Sequence, residues 1–274
     1  MGIVNVTPDS FSGDGVFKDV TLLDEKVQAH VNNGAHYIDI GGQSSRPGAE
    51  LISESEEYDR VIPAIKYIKN KWPNQKISVD TSSPAIMKKA IAEGVHMIND
   101  INAFQTPGAL DAIEGSNVEV IIMHMQGNPQ NMQNNPQYGN VIEEITQFFR
   151  ERKGALESTG VPEKNIWLDP GFGFGKSMSH NYQILSRLKL LQKLSKNICV
   201  GMSRKSMIGS ALGDSNRPRE FGTVGAHLLA ALQGAGLHRV HEVGALRDVF
   251  KVLECLEAEM SPHSLHLESV IGME

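Results

Sequence analysis

Residues 167–176 read W-L-D-P-G-F-G-F-G-K. An apolar, strand-like run from Ile166 to Leu168 ends in a carboxylate, Asp169, then breaks into Pro170 and three alternating glycines. A carboxylate at a strand end, followed by a glycine-rich loop, is how an α/β protein presents an acid to a ligand. Two phosphate-binding patterns fail here. Gly175-Lys176-Ser177 fits the end of G-x-x-x-x-G-K-[ST], but Pro170 stands where the first glycine should be, and a G-x-G-x-G spacing is not a dinucleotide fingerprint. The glycines are therefore expected to serve a tight turn and a close backbone approach. A purely structural turn with a helix-capping Asp explains these ten residues equally well, and the rest of the chain decides.

On either side of this stretch, apolar strand-like runs alternate with amphipathic helical ones. Gly2 to Val6 reads as a strand, and Leu23, Val27 and Val31 as a helix face. His36 to Ile40 is the second strand. Its helix, marked by Val61, Ile62, Ile65 and Ile68, is entered through Ser53-x-x-Glu56, the pattern of a capping box. Ile77 to Val79 precedes a helix opened by Pro84. Met97 to Asn99 precedes a short helix near Ala109 to Ile113, and Val118 to Met123 is the fifth strand. The polar loop from His124 to Asn140 is too long for a plain connection. Val141, Ile145, Phe148 and Phe149 then form a helix face. The sixth strand is followed by a helix through Ile184, Leu188 and Leu191. Ile198 to Met202 and Leu237 to Val240 are strands seven and eight, with helices marked by Val224, Leu228 and Leu232 and by Val249, Val252, Leu253 and Leu256. Eight βα units in 274 residues imply an α/β fold, a closed (β/α)8 TIM barrel in a single domain, rather than an open doubly wound sheet.

The composition agrees with one large core, being 40% hydrophobic. Lys and Arg number 26 against 32 Asp and Glu, a net charge of -6 that argues against nucleic acid or a membrane surface as partner. Cys199 and Cys255 are far apart and fit no metal pattern, so they are expected to be reduced, in a cytoplasmic protein. No run of 18 apolar residues is present, and the N-terminus is not a signal peptide.

A barrel builds its site at the C-terminal ends of its strands. Those positions hold Asn5, Asp39, Asp80, Asn99, Met123-His124, Asp169, Ser203-Arg204-Lys205, and Arg239 with His241. One Asp or Asn after a strand is commonly a turn residue; a ring of eight polar ends is not explained that way. The acids lie on strands two, three and six, and the bases on strands seven and eight, where this fold commonly binds phosphate. The ligand inferred has a donor-rich head, suited to Asp and Asn, and an anionic tail suited to two arginines.

The motifs M-G-I-V-N-V-T-P-D-S-F, I-D-I-G-G-Q-S-S-R-P-G-A, S-V-D-T, I-N-D-I, M-H-M-Q-G-N-P, L-D-P-G-F-G-F-G-K, G-M-S-R-K-S and R-V-H-E-V occur in one order from Met1 to about Leu253. Together they resemble the dihydropteroate synthase family. The resemblance implies condensation of a pterin methyl diphosphate with 4-aminobenzoate, and inhibition by sulfonamides. It implies a pterin pocket of Asp80, Asn99, Asp169 and Lys205 with Met123 packing nearby, and catalytic roles for Lys205, Asp80 and Asp169. It places Mg2+ on Asn5, the diphosphate on Arg239 and His241 with Ser45 and Arg46, and 4-aminobenzoate among Phe11, Arg46, Pro47, Lys205 and Ser206. Asp39 would support the site rather than touch substrate. A homodimer is implied, through late helices such as Val224 to Leu232.

Five positions depart from the family pattern. The first loop reads Ser12-Gly13-Asp14-Gly15 where S-D-G-G is usual, displacing its acid by one position. Gln43 replaces Glu, Ser45 replaces Thr, and Glu242 replaces Asp. The sequence opens directly at strand one, where the family normally has a segment that helps close the barrel bottom, so either the bottom is open or the true start lies upstream. Residues 1–260 are assigned to the barrel, and 261–274 to a variable extension that could be disordered. Two rival functions are a pterin-dependent methyltransferase, which would not need the anion set on strands seven and eight, and a non-catalytic pterin-binding barrel.

Overall fold

The computed structural model describes residues 1–7, 20–44, 52–214 and 216–259. Phe11, Asp14, Ser45, Arg46, Pro47 and the 261–274 extension lie outside them. Strands β1 (Gly2–Asn5), β2 (Tyr37–Gly41), β3 (Lys76–Asp80), β4 (Met97–Asp100), β5 (Glu119–Met123) and β6 (Ile166–Asp169) pair in chain order, all parallel. Strands β7 (Cys199–Val200) and β8 (Leu237–His238) pair with each other. Parallel bridges Leu168–Ile198 and Gly2–Val240 join this pair to β6 and β1, so the sheet closes as a barrel.

The side-chain alternation of a strand explains the sequence pattern. Ile38, Ile40, Ile77, Val79, Ile98, Val120, Ile122 and Leu168 are fully buried and pack outward under the helices. Each contributes roughly 1.5–3 kcal/mol of burial. The alternate residues face the barrel interior. Met97, Ile121 and Cys199 pack there with Met1, Tyr37 and Leu237, and above them the lining becomes polar. Below, the Glu119 carboxylate takes the Tyr37 hydroxyl and the Trp167 indole N–H, the latter at 2.7 Å. A cleft of about 550 Å3 opens at this bottom end beside Tyr37, Lys76, Trp167 and Leu237.

Helices α1 (Val20–Asn32), α2 (Glu54–Lys71), α3 (Pro84–Ala92), α4 (Ala109–Ile113), α5 (Val141–Ser158) and α6 (Met178–Ser186) follow β1 to β6 in turn. Ser53 caps α2 by accepting the Glu56 N–H, while the Glu56 carboxylate takes Arg60. Two expectations need correction. The α6 helix does not run through Leu188 and Leu191; it stops at Ser186, and residues Leu188–Lys193 form a 3-10 helix whose i, i+3 spacing mimics an α-helical face. A short helix α7 (Ser206–Ala211) also precedes α8 (Glu220–Leu232), before α9 (Val243–Glu259) ends the described chain. Among the described residues no helix is long and apolar enough to cross a membrane.

Candidate active site

Strand register sets the first part of the site. Asn5 pairs with Gly41, Gly41 with Asp80, and Asp80 with Asn99, so three polar side chains share one inward row on β1, β3 and β4. Gly41 leaves the room between them: a Cβ there would lie 3.6 Å from the Asp80 Cβ and 3.9 Å from the Asn5 Oδ1. One strand further on, Met123 pairs with Asp169. Alternation also separates Asn99 from Asp100. Asp100 is fully buried and takes the N–H groups of Asn102 and Phe104 at 2.8 and 2.7 Å, which shapes the turn after β4.

Arg239, from the end of β8, crosses β1 to meet two acids. Its Nε donates to Asp39 at 2.6 Å and its NH2 group to Asp80 at 2.8 Å. Asp39 is fully buried and also accepts from Asn99 at 3.4 Å. Burial pushes the Asp80 carboxyl up to about 7, with Arg239 pulling it down. The facing acids hold the Arg239 guanidinium charged despite its burial. Asp39 lies one step below the strand ends, bonded to both Arg239 and Asn99. Arg239 is committed to two carboxylates, and its remaining N–H groups are what it can offer an anion.

The glycine loop carries Asp169. Gly171, Gly173 and Gly175 all have left-handed φ of 69°, 80° and 61°, a region costly for any side chain. Their surroundings add a second constraint. A Cβ on Gly171 would stand 2.0 Å from the His124 carbonyl oxygen, and one on Gly175 2.4 Å from that of Gln126. Gly173 faces the Lys205 side chain at 3.3 Å. The expected tight turn and close approach are both present, and the approaching backbone is the loop after β5. That long loop folds back onto the glycines: Tyr138 donates to the Gly175 carbonyl at 2.8 Å and Gln133 to that of Gly173 at 2.5 Å. The Asp169 carboxylate accepts the Gly171 N–H at 2.8 Å. Burial pushes it above the usual carboxylate range, opposed first by Lys205.

Lys205 caps α7 and reaches back across the loop. Its ammonium donates to the Phe172 carbonyl at 2.6 Å and sits 4.5 Å from the Phe174 ring centroid, a cation–π geometry. Burial pulls it down to about 8, with Asp169 pulling up. Asp169 and Lys205 therefore each favour the charged form of the other, against the effect of burial. The strand ends of β7 and β8 are stitched by Ser203, whose Oγ meets His241 Nδ1 at 2.9 Å and the His241 N–H at 3.2 Å. Arg204 turns away: it has a left-handed φ of 59°, and its guanidinium pairs with Glu242. Of the two arginines expected to suit an anion, only Arg239 lines the interior.

Asn5, Asp80, Asn99, Met123, Asp169, Lys205, Arg239 and His241 thus stand together at one end of the barrel. Ser206 is exposed, as the first residue of α7. Phe11, Ser45, Arg46 and Pro47 belong to loops outside the described residues. Reasoning from the sequence missed Phe174 and Met132, which pack with Met123 in a small apolar cluster. Only the unusual length of the 124–140 loop hinted at Met132. Asn5 and the neighbouring carboxylate oxygens suit a hard cation such as Mg2+. Among the described residues no group of three or more His, Cys, Asp or Glu could hold a metal unaided.

The chain is similar to known proteins over most of its length. The family model described as pterin binding enzyme matches residues 1–241. The dihydropteroate synthase of Escherichia coli (strain K12) is 42% identical over 254 residues, covering 93% of this chain and 90% of that protein. Among solved structures, the Yersinia pestis dihydropteroate synthase with a sulfonamide drug superposes with a TM-score of 0.90 at 41% identity, covering 94% of both chains. The Xanthomonas albilineans dihydropteroate synthase with 4-aminobenzoic acid superposes with a TM-score of 0.83 at 40% identity, covering 95% of this chain and 93% of that one.

Proposed function

The chain belongs to the pterin-binding enzyme family, and from its barrel-end site we infer that it is a dihydropteroate synthase. This transferase joins 4-aminobenzoate to 6-hydroxymethyl-7,8-dihydropterin diphosphate, giving 7,8-dihydropteroate and pyrophosphate. The observation that carries the reading is the pairing of a polar pocket, the half-buried Asp80 with buried Asn99 and Asp169, with basic residues that follow β7 and β8, namely Lys205, Arg239 and His241. A pterin-dependent methyltransferase would have no use for the second half.

The chemistry assigns each group a task. Asp169 and Asn99 accept and exchange hydrogen bonds with the amino-pyrimidine edge of the pterin, Asp80 faces the same ring, and Met123 packs on it. Lys205 is assigned to both pterin and 4-aminobenzoate, and Ser206 to the latter, together with Phe11, Arg46 and Pro47 on the family resemblance. Arg239, His241, Ser45 and Arg46 take the diphosphate. Bound Mg2+, with Asn5 as its protein ligand, would neutralise the leaving diphosphate. The aromatic amine is a weak nucleophile, so a dissociative displacement fits: the C–O bond to diphosphate breaks, the ring-stabilised methylene cation is captured by the amine, and the amine proton leaves. Preorganised charge rather than a covalent enzyme intermediate supplies the acceleration.

Dihydropteroate formation with pyrophosphate release is expected from the two substrates together and to require Mg2+. No dihydropteroate from both substrates, or full turnover after chelation, would count against the reading. Sulfonamides, as mimics of 4-aminobenzoate, are expected to compete with it. A homodimer is supported by an apolar outer face on α8 and α9, where Phe221 is 92% and Val252 71% exposed. Light scattering is expected to return twice the chain mass, and Phe221→Glu to lower it; a wild-type mass of one chain would refute the dimer. Two free cysteines support a cytoplasmic location.

A further inference from the structure

Lys176, the residue that made the glycine loop look like a phosphate loop, is bonded to the protein itself. It is 3% exposed and turns back beneath the loop. Its ammonium donates to the His124 carbonyl at 3.1 Å and the Phe174 carbonyl at 2.9 Å, and lies 3.0 Å from His124 Nδ1. An ammonium has three N–H donors and no acceptor, so three acceptors satisfy it completely. Burial, with Lys176 beside it, pulls the His124 imidazole down to about 3. The ring is therefore neutral, and Nδ1 is available as an acceptor.

These acceptors belong to two different segments. His124 opens the loop after β5, and Phe174 lies in the loop after β6. The two are already joined by the His124 N–H, which donates to the Asp169 carbonyl at 2.9 Å. Lys176 thus sits at the junction that places Asp169. The ionisable groups facing Asp169 are Lys205, Lys176 and Arg239, which favour its charged form, and the Cys199 thiol, which Asp169 pushes up. Lys205 is only half-buried and faces the ligand. Arg239 is committed to Asp39 and Asp80. Lys176 alone among the three cations is sealed from the pocket.

Burial pulls the Lys176 ammonium itself down to about 7, with Asp169 pulling it up. We propose that Lys176 is a positioning residue: its buried side-chain nitrogen clamps the loops after β5 and β6 together at the strand end that carries Asp169 and, in its charged form, acts beside Lys205 as a second cation toward that carboxylate. The nature of the ligand rests on the synthase reading; the clamp and the charge coupling do not. Asp169 must be ionised to accept pterin N–H groups, so affinity falls as pH drops through its folded value. Removing a neighbouring cation raises that value and moves the loss to higher pH.

The test is calorimetric titration with 6-hydroxymethylpterin from pH 5 to 9 for wild type, Lys176→Gln and Lys176→Arg. In Lys176→Gln the acid limb is expected to move up by about one pH unit, so that binding on that limb weakens by up to about tenfold. Lys176→Arg, which keeps the charge, is expected to retain the wild-type limb. A uniform loss at all pH values in Lys176→Gln would overturn the charge role and leave a merely structural lysine. Should Lys176→Gln not fold, the reciprocal measurement decides. In Asp169→Asn, the Lys176 side chain followed by carbon NMR is expected to lose its proton about one pH unit below wild type; an unmoved titration refutes the coupling. Wild type that binds no pterin at any pH would fail the synthase reading, and the NMR arm would still judge the proposal.

Discussion

Asp169→Asn is expected to lower kcat/KM by roughly a thousandfold or more, about 4 kcal/mol of transition-state stabilisation, while leaving the fold intact. The asparagine oxygen can still accept the Gly171 N–H that Asp169 accepts at 2.8 Å. The second carboxylate oxygen becomes an NH2 group, which meets the donor edge of the pterin donor to donor. A site built to hydrogen-bond its substrate loses heavily when one partner is wrong. Lys205 also loses its main counter-ion. Burial already pulls it down to about 8, and without Asp169 it falls further. The check is steady-state kinetics alongside a thermal melt. A melt near wild type with activity within tenfold of wild type would remove Asp169 from the centre of the site.

Arg239→Met is expected to destabilise the fold by about 3–5 kcal/mol, because it strands two carboxylates inside the barrel. Asp39 is fully buried and both its neighbours in this network are polar. The deficit should depend on pH, with a definite sign. Asp80 has a folded value of about 7, above its ordinary 3.8. The folded state therefore binds the extra proton between those values, and stability on its account falls as pH rises through about 7. Removing Arg239 takes away the pull that lowers Asp80, so its folded value climbs further. Urea unfolding of the variant is expected to show a larger deficit at pH 8 than at pH 5. Equal deficits at both would mean that the Arg239–Asp80 contact is not electrostatic in its effect.

The barrel was legible because its period is local. Alternation on Tyr37–Gly41 and Lys76–Asp80, and four-residue recurrence on α1 and α2, state strand and helix within a few residues. The breaks came where local spacing is ambiguous. Leu188 and Leu191 repeat at three, which a 3-10 turn satisfies as well as an α-helix. Strands β7 and β8 hold only two paired residues each, so closure depends on single bridges that no periodicity announces. The polar strand ends named the site, but not who partners whom. The Arg239–Asp39 and Arg239–Asp80 contacts join residues 200 and 159 positions apart. Likewise the Lys176–His124 contact spans 52 residues. The sequence asks for a close approach at Gly171 and Gly175; only the fold identifies the approaching segment as the loop after β5.

The most direct measurement is a crystal structure of the wild-type chain soaked with the pterin diphosphate and Mg2+. The expected density has the amino-pyrimidine edge within hydrogen-bonding distance of Asp169 and Asn99, the diphosphate toward Arg239 and His241, and the metal on Asn5. Pterin density elsewhere, for instance in the bottom cleft beside Tyr37 and Trp167, or with its amino edge turned toward β8, would contradict the assignment.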